Sequence, residues 1–122
     1  MTSKRIDDLA LEAELNDNND YWVIGQKNFY KLDENGNVLF KYEYSGQLID
    51  FSLTKTTASI VVEGVGKGKG VLTIFRSDSD SDKPNSVIYS DSGMPEKLHS
   101  EGNLTILLSE SRIDAYDKAG NL

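Results

Sequence analysis

Three carboxylates stand at alternate positions in Asp78-Ser79-Asp80-Ser81-Asp82, the spacing with which positions 1, 3 and 5 of a calcium loop present their oxygens to a hard cation. The rest of that loop is missing. Position 6 is Lys83 where the sharp turn needs Gly, and position 12 is Tyr89 where a bidentate Glu closes the shell. Asp78, Asp80 and Asp82 are therefore weak calcium candidates inside a solvated turn that ends at Pro84. Asp33-Glu34-Asn35-Gly36-Asn37 has the same alternation of oxygen ligands, with its glycine two places too early. It reads as a hairpin turn in which Asp33 accepts backbone hydrogen bonds and Gly36 takes positive φ.

The stretch Gly64-Val65-Gly66-Lys67-Gly68-Lys69-Gly70 has the composition of a phosphate loop. Its order is wrong for a Walker loop, because Lys69 is followed by Gly70 and then by a strand, so no helix N-terminus is there to hold an anion. His99 is the only histidine and there is no cysteine. A multi-histidine metal site and a thiolate nucleophile are excluded from this chain alone, and nothing in the sequence sets a serine beside a base. No cofactor and no catalytic residue is expected, and His99 reads as an ordinary strand residue.

Composition narrows the partners. Twenty acidic against thirteen basic residues give a net charge of −7, which repels a phosphate backbone, so nucleic acid is not an expected partner. No run of about 18 apolar residues occurs, and the first residues carry a basic pair without an apolar stretch, so this segment is not expected to insert into a membrane. The absence of cysteine suits both a bacterial cytoplasm and a cell surface. Asn103-Leu104-Thr105 matches a glycosylation acceptor, but it opens an expected strand.

The elements that would position any site come from a repeated phrase. Phe29-Tyr30-Lys31-Leu32-Asp33-Glu34-Asn35-Gly36-Asn37-Val38 returns as Ile113-Asp114-Ala115-Tyr116-Asp117-Lys118-Ala119-Gly120-Asn121-Leu122, with its Asp 84 residues later. A degraded copy, Leu72-Thr73-Ile74-Phe75-Arg76, lies midway, so the unit is about 42 residues. Apolar triplets precede all three copies: Trp22-Val23-Ile24, Ile60-Val61-Val62 and Ile106-Leu107-Leu108. Alternation and turn residues predict strands at 21–26, 28–32 and 38–44, then at 48–54, 58–63, 71–76 and 86–90, then at 96–99, 104–108 and 112–116. Residues 9–15 alternate as a strand, but within residues 3–15 Ile6, Leu9, Ala10 and Ala13 also form a helical stripe, and both readings stand. Phe40-Lys41-Tyr42-Glu43-Tyr44 puts three aromatics on one face, expected to be core.

With its strand, Asp-x-x-Gly-Asn turn and returning strand, the chain resembles β-propeller repeats of the PQQ-like and WD-like kind, and is similar to uncharacterised propeller families of Gram-positive bacteria over about residues 8–122. It departs from them where Phe40 follows the turn instead of Trp, and in lacking Gly-His and Trp-Asp pairs, so no quinone is carried over. The resemblance implies an all-β fold of about three consecutive four-stranded antiparallel meander blades, the last incomplete, in one domain (1–122) with units of about 8–45, 46–91 and 92–122. Closed propellers need four to eight blades, so the expectation is part of a larger propeller or a self-associating unit, unstable as a lone monomer. The implied function is a non-catalytic binding or scaffolding module that meets a protein partner, or itself, through exposed strand edges. The alternative is a fragment of a propeller enzyme whose channel site needs further blades.

Overall fold

The computed structural model describes residues 8–64, 70–78, 83–90, 95–102, 104–109 and 112–117. Eleven strands and no helix occur among them: β1 (Ala10–Leu15), β2 (Tyr21–Gly25), β3 (Asn28–Leu32), β4 (Val38–Glu43), β5 (Leu48–Leu53), β6 (Thr57–Glu63), β7 (Gly70–Arg76), β8 (Ser86–Ser90), β9 (Pro95–Glu101), β10 (Leu104–Ser109) and β11 (Ile113–Tyr116). They form three successive antiparallel meanders: β1-β2-β3-β4, β5-β6-β7-β8 and β9-β10-β11. The fold is all-β, a run of blade-like sheets of which the third has three strands among the described residues. Residues 10–15, open to two readings from sequence, are a strand paired to β2, because Ala13 and Leu15 align with Val23 and Tyr21 in its ladder.

The sheets stack face to face, and alternation decides what each face holds. Trp22, Ile24, Phe29 and Phe40 of the first sheet meet Ala58, Ile60, Val62 and Phe75 of the second. Val61, Leu72 and Ile74, on the opposite face of the second sheet, meet Leu98, Leu107 and Tyr116 of the third. The middle sheet is therefore apolar on both faces, which is why residues 57–62 of β6 are all buried. Phe75 is the hub of the first interface, with ring centroids 4.7 Å from Phe29, 5.2 Å from Tyr42 and 5.6 Å from Phe40. Phe40 and Tyr44 are buried and Tyr42 half-buried, so the aromatic face of β4 is core.

Strand pairing corrects the alignment of the repeats. Phe29, Leu72 and Ile113 hold equivalent places in β3, β7 and β11, and their partners across the ladder are Ile24, Val61 and Leu108. The counterpart of Trp22-Val23-Ile24 in the middle sheet is thus Ser59-Ile60-Val61, one residue earlier than the apolar triplet suggests. A one-residue shift exchanges faces, and Ile60 accordingly points to the first sheet while Trp22 points to the second. The physical reason is the double-sided burial of β6: residues 57–62 are buried whichever way they point and Ile60, Val61 and Val62 are apolar in a row, so hydrophobicity carries no phase.

Hairpin chemistry fixes the turns. Asp33 Oδ1 accepts from the backbone N–H of Asn35 at 2.9 Å and of Asn37 at 2.8 Å, Oδ2 accepts from Asn37 Nδ2 at 3.0 Å, and Gly36 sits at φ 84°. Its sequence likeness at Lys118–Leu122 lies outside the described residues, as do Val65–Lys69. Between sheets, Gly46 passes so close to the Glu63 carbonyl that a Cβ there would collide with backbone.

Candidate functional site

The first strands of the sheets lie on the same side of the stack and do not pack alike. Between β5 and β9 the backbone N–H of Leu98 donates to Asp50 Oδ2 at 2.8 Å and that of Ser100 to Ser52 Oγ at 2.8 Å. The ladder places Glu12 and Glu14 of β1 at the positions of Asp50 and Ser52, and both are exposed. Beside β1 and β5 the structure opens into a cleft of about 780 Å³, lined among others by Leu9, Leu11, Asn28, Tyr44, Leu48 and Phe51. Leu9 and Leu11 are 62% and 46% exposed, an apolar display that isolated surface leucines seldom build together.

Asp8 organises one end of this cleft. Its carboxylate accepts from the backbone N–H of Lys27 (3.2 Å) and Asn28 (3.1 Å), from Asn28 Nδ2 (3.5 Å) and from the Tyr30 hydroxyl (3.1 Å). Burial pushes its pKa up, but the hydrogen bonds from Lys27, Tyr30 and Asn28 outweigh burial and hold it below the usual carboxyl value. Gly25 is required beside it, since a Cβ there would strike the same carboxylate. Burial first, then the charge on Asp8, pushes the Tyr44 phenol upward, so it stays protonated and donates to the Gly25 carbonyl at 2.9 Å. Asn28 is 9% exposed, and its buried Oδ1 has no hydrogen-bond partner among the described residues. An unmet acceptor of this kind on a cleft wall suits a ligand that donates an N–H or O–H.

At the opposite end of the same interface, Lys31 is fully buried. Its Nζ lies 3.6 Å from Asp20 Oδ2, 3.5 Å from the Ser77 carbonyl and 5.6 Å from the centre of the Trp22 ring. Ile74 and Ala115 hold the equivalent place in the other two sheets. Sequence reasoning passed over Lys31, Asp8 and Asn28; the sign for Lys31 was a cation on the apolar face of an alternating strand.

The residues singled out from sequence are not brought together. Asp78 is engaged by Arg76, Nε to Oδ1 at 3.0 Å and Nη2 to Oδ2 at 2.7 Å, while Asp80 and Asp82 lie outside the described residues. His99 is an exposed residue of β9 opposite Ile106. Among the described residues no three His, Asp or Glu side chains are grouped to hold a metal ion, and no helix is long and apolar enough to cross a membrane.

No family model matches the chain and no curated protein matches it. Sixteen chains of known structure do match. One is the crystal structure of the computationally designed Ika8 protein, with TM-score 0.62 and 8% identity over 90% of this chain. The match covers 33% of that protein, so this chain spans about a third of its length. The likeness is one of fold.

Proposed function

We propose that the chain is a non-catalytic binding and scaffolding module built from propeller-type repeats, similar to those of PQQ-like and WD-like proteins, which takes an extended apolar segment of a protein partner in the cleft beside β1 and β5. The observation that carries the reading is the cleft itself, which sets apolar Leu9, Leu11, Leu48 and Phe51 among the charged Lys27, Lys41, Glu43 and Asp50 and is marked by the unmet acceptor of Asn28. Side chains of an extended peptide would fill the apolar part of the wall while a backbone N–H meets Asn28 Oδ1, and the edge of β1, unpaired among the described residues, offers main-chain groups to the same segment. The meander sheets and their match to a third of a longer designed chain support the repeat-module part of the reading.

A peptide array of random decamers, probed with the labelled chain, tests it. Retention of leucine- and aromatic-rich peptides, lost in Leu11→Glu and weakened in Asn28→Ala, is the expected result. Binding no stronger than background, or binding that Leu11→Glu leaves unchanged, refutes it.

A further inference from the structure

The register that relates the three sheets also says what their outermost faces lack. Each sheet has a forward face, turned toward the next sheet, and a backward face. On forward faces Phe29 and Leu72 are fully buried, yet Ile113 at the same place in the third sheet is 73% exposed. Ile24 and Val61 are likewise fully buried, while their counterpart Leu108 is only half-buried. Leu104, on the same face as Leu108, is 44% exposed.

The backward faces show the reverse. Ile60 and Leu107 are fully buried against the preceding sheet, and Phe75 and Tyr116 are 1% and 5% exposed. Their counterparts in the first sheet, Val23 and Leu32, have no sheet behind them among the described residues and are half-buried. Tyr21 on that face is 40% exposed and Leu15, its partner in β1, 47%. At this end Asp8 lies against Tyr30 and Gly25, its carboxylate also held by Lys27 and Asn28. The stack thus ends in two different apolar faces, each carrying the residue types that its equivalents bury against the other kind.

We infer that the forward face of the third sheet is covered by the backward face of the first sheet of a second copy of this chain, in the same packing that joins the sheets inside one chain. The contact is heterologous, so it either closes or grows without end. The three sheets among the described residues and a closed range of about four to eight blades are matched by two copies, giving six sheets. The face pairing follows from the register alone, whereas the number two rests on the propeller reading above.

Sedimentation velocity of the full chain separates these. The expected species has twice the chain mass of 13.5 kDa. Ile113→Lys on the forward face and Tyr21→Glu on the backward face should each give single chains with unchanged circular dichroism. A 1:1 mixture of the two variants should recover a two-chain species, because one of its two interfaces then keeps Ile113 and Tyr21 intact. Tyr89→Lys, 79% exposed on the outer strand of the middle sheet, should pair like the unchanged chain. A one-chain mass for the unchanged protein, or pairing that survives Ile113→Lys and Tyr21→Glu alike, overturns the inference. Assemblies of three or more chains that dissociate on Ile113→Lys and are complemented in the mixture uphold the face contact and overturn the closed pair, and with it the propeller count. Peptide retention and its loss in Leu11→Glu are read separately on the array, so a failure of the cleft reading is told apart from a failure of the face contact.

Discussion

Replacing Phe75 with Ala removes the ring that joins the first two sheets. Phe75 is 1% exposed and touches three other aromatic rings, at centroid distances of 4.7, 5.2 and 5.6 Å. Truncating a buried Phe costs about 3–5 kcal/mol, the lost transfer energy plus the cavity left behind. The three ring contacts place this site at the upper end, since each such pair adds about 0.5–1.5 kcal/mol beyond area. Against a total stability of about 5–15 kcal/mol, that is a quarter or more of the whole. With a urea slope of about 2 kcal/mol/M, a loss near 4 kcal/mol lowers the midpoint by about 2 M. Urea unfolding followed by Trp22 fluorescence reads the change, at one fixed protein concentration because association also shifts apparent stability. Tyr89→Ala, removing an exposed ring from the same sheet, should stay within about 0.5 kcal/mol. A midpoint shift under about 0.5 M for Phe75→Ala would mean that the first two sheets do not pack through this residue, and the stack would be wrong.

Three further outcomes follow from the same geometry. The depressed Asp8 carboxyl stabilises the fold fully above its unfolded value of about 3.9 and loses that contribution as pH falls through the lower folded value; thermal melts should therefore drop below about pH 4 in the unchanged chain and show a smaller acid dependence in Asp8→Asn. Gly36→Ala, forced to hold φ 84°, should cost about 1–2 kcal/mol of stability although nothing lies near the added methyl, whereas Gly36→Asn, whose side chain tolerates this region, should cost less; equal losses would remove the backbone explanation. Gly46→Ala drives a methyl into the Glu63 carbonyl and should be among the most damaging exchanges at the described glycines, measured by the urea midpoint, with an unchanged midpoint as the contrary result.

Strands and turns were legible in the sequence because their signals are local. Asp33 and Gly36 announce a hairpin whichever protein surrounds them, and the β-branched and aromatic run Tyr21-Trp22-Val23-Ile24 marks a strand whose burial alternates. Phase was not legible in β6, where Ala58, Ile60, Val61 and Val62 are buried on both sides and only the partner strand says which way each points. The middle hairpin hides the register further, since eleven positions separate Val61 from Leu72 where five separate Ile24 from Phe29. The cleft escaped for a different reason. Its residues come from β1 and the residue before it, the β2–β3 turn and start of β3, β4, the β4–β5 connection and β5, a combination from two sheets that no single window of sequence contains. The acidic run at Asp78 drew attention through composition, yet Asp78 is committed to Arg76 two residues away.

The opposite facing of Ile60 and Val61 is the point on which the stacked-sheet account turns, and methyl NOEs in Ile/Leu/Val-labelled protein read it directly. The account predicts cross-peaks from Ile60 and Val62 to Ile24 of the first sheet, and from Val61 and Leu72 to Leu98 and Leu107 of the third. Cross-peaks from Ile60 to Leu107, with none to Ile24, would contradict it.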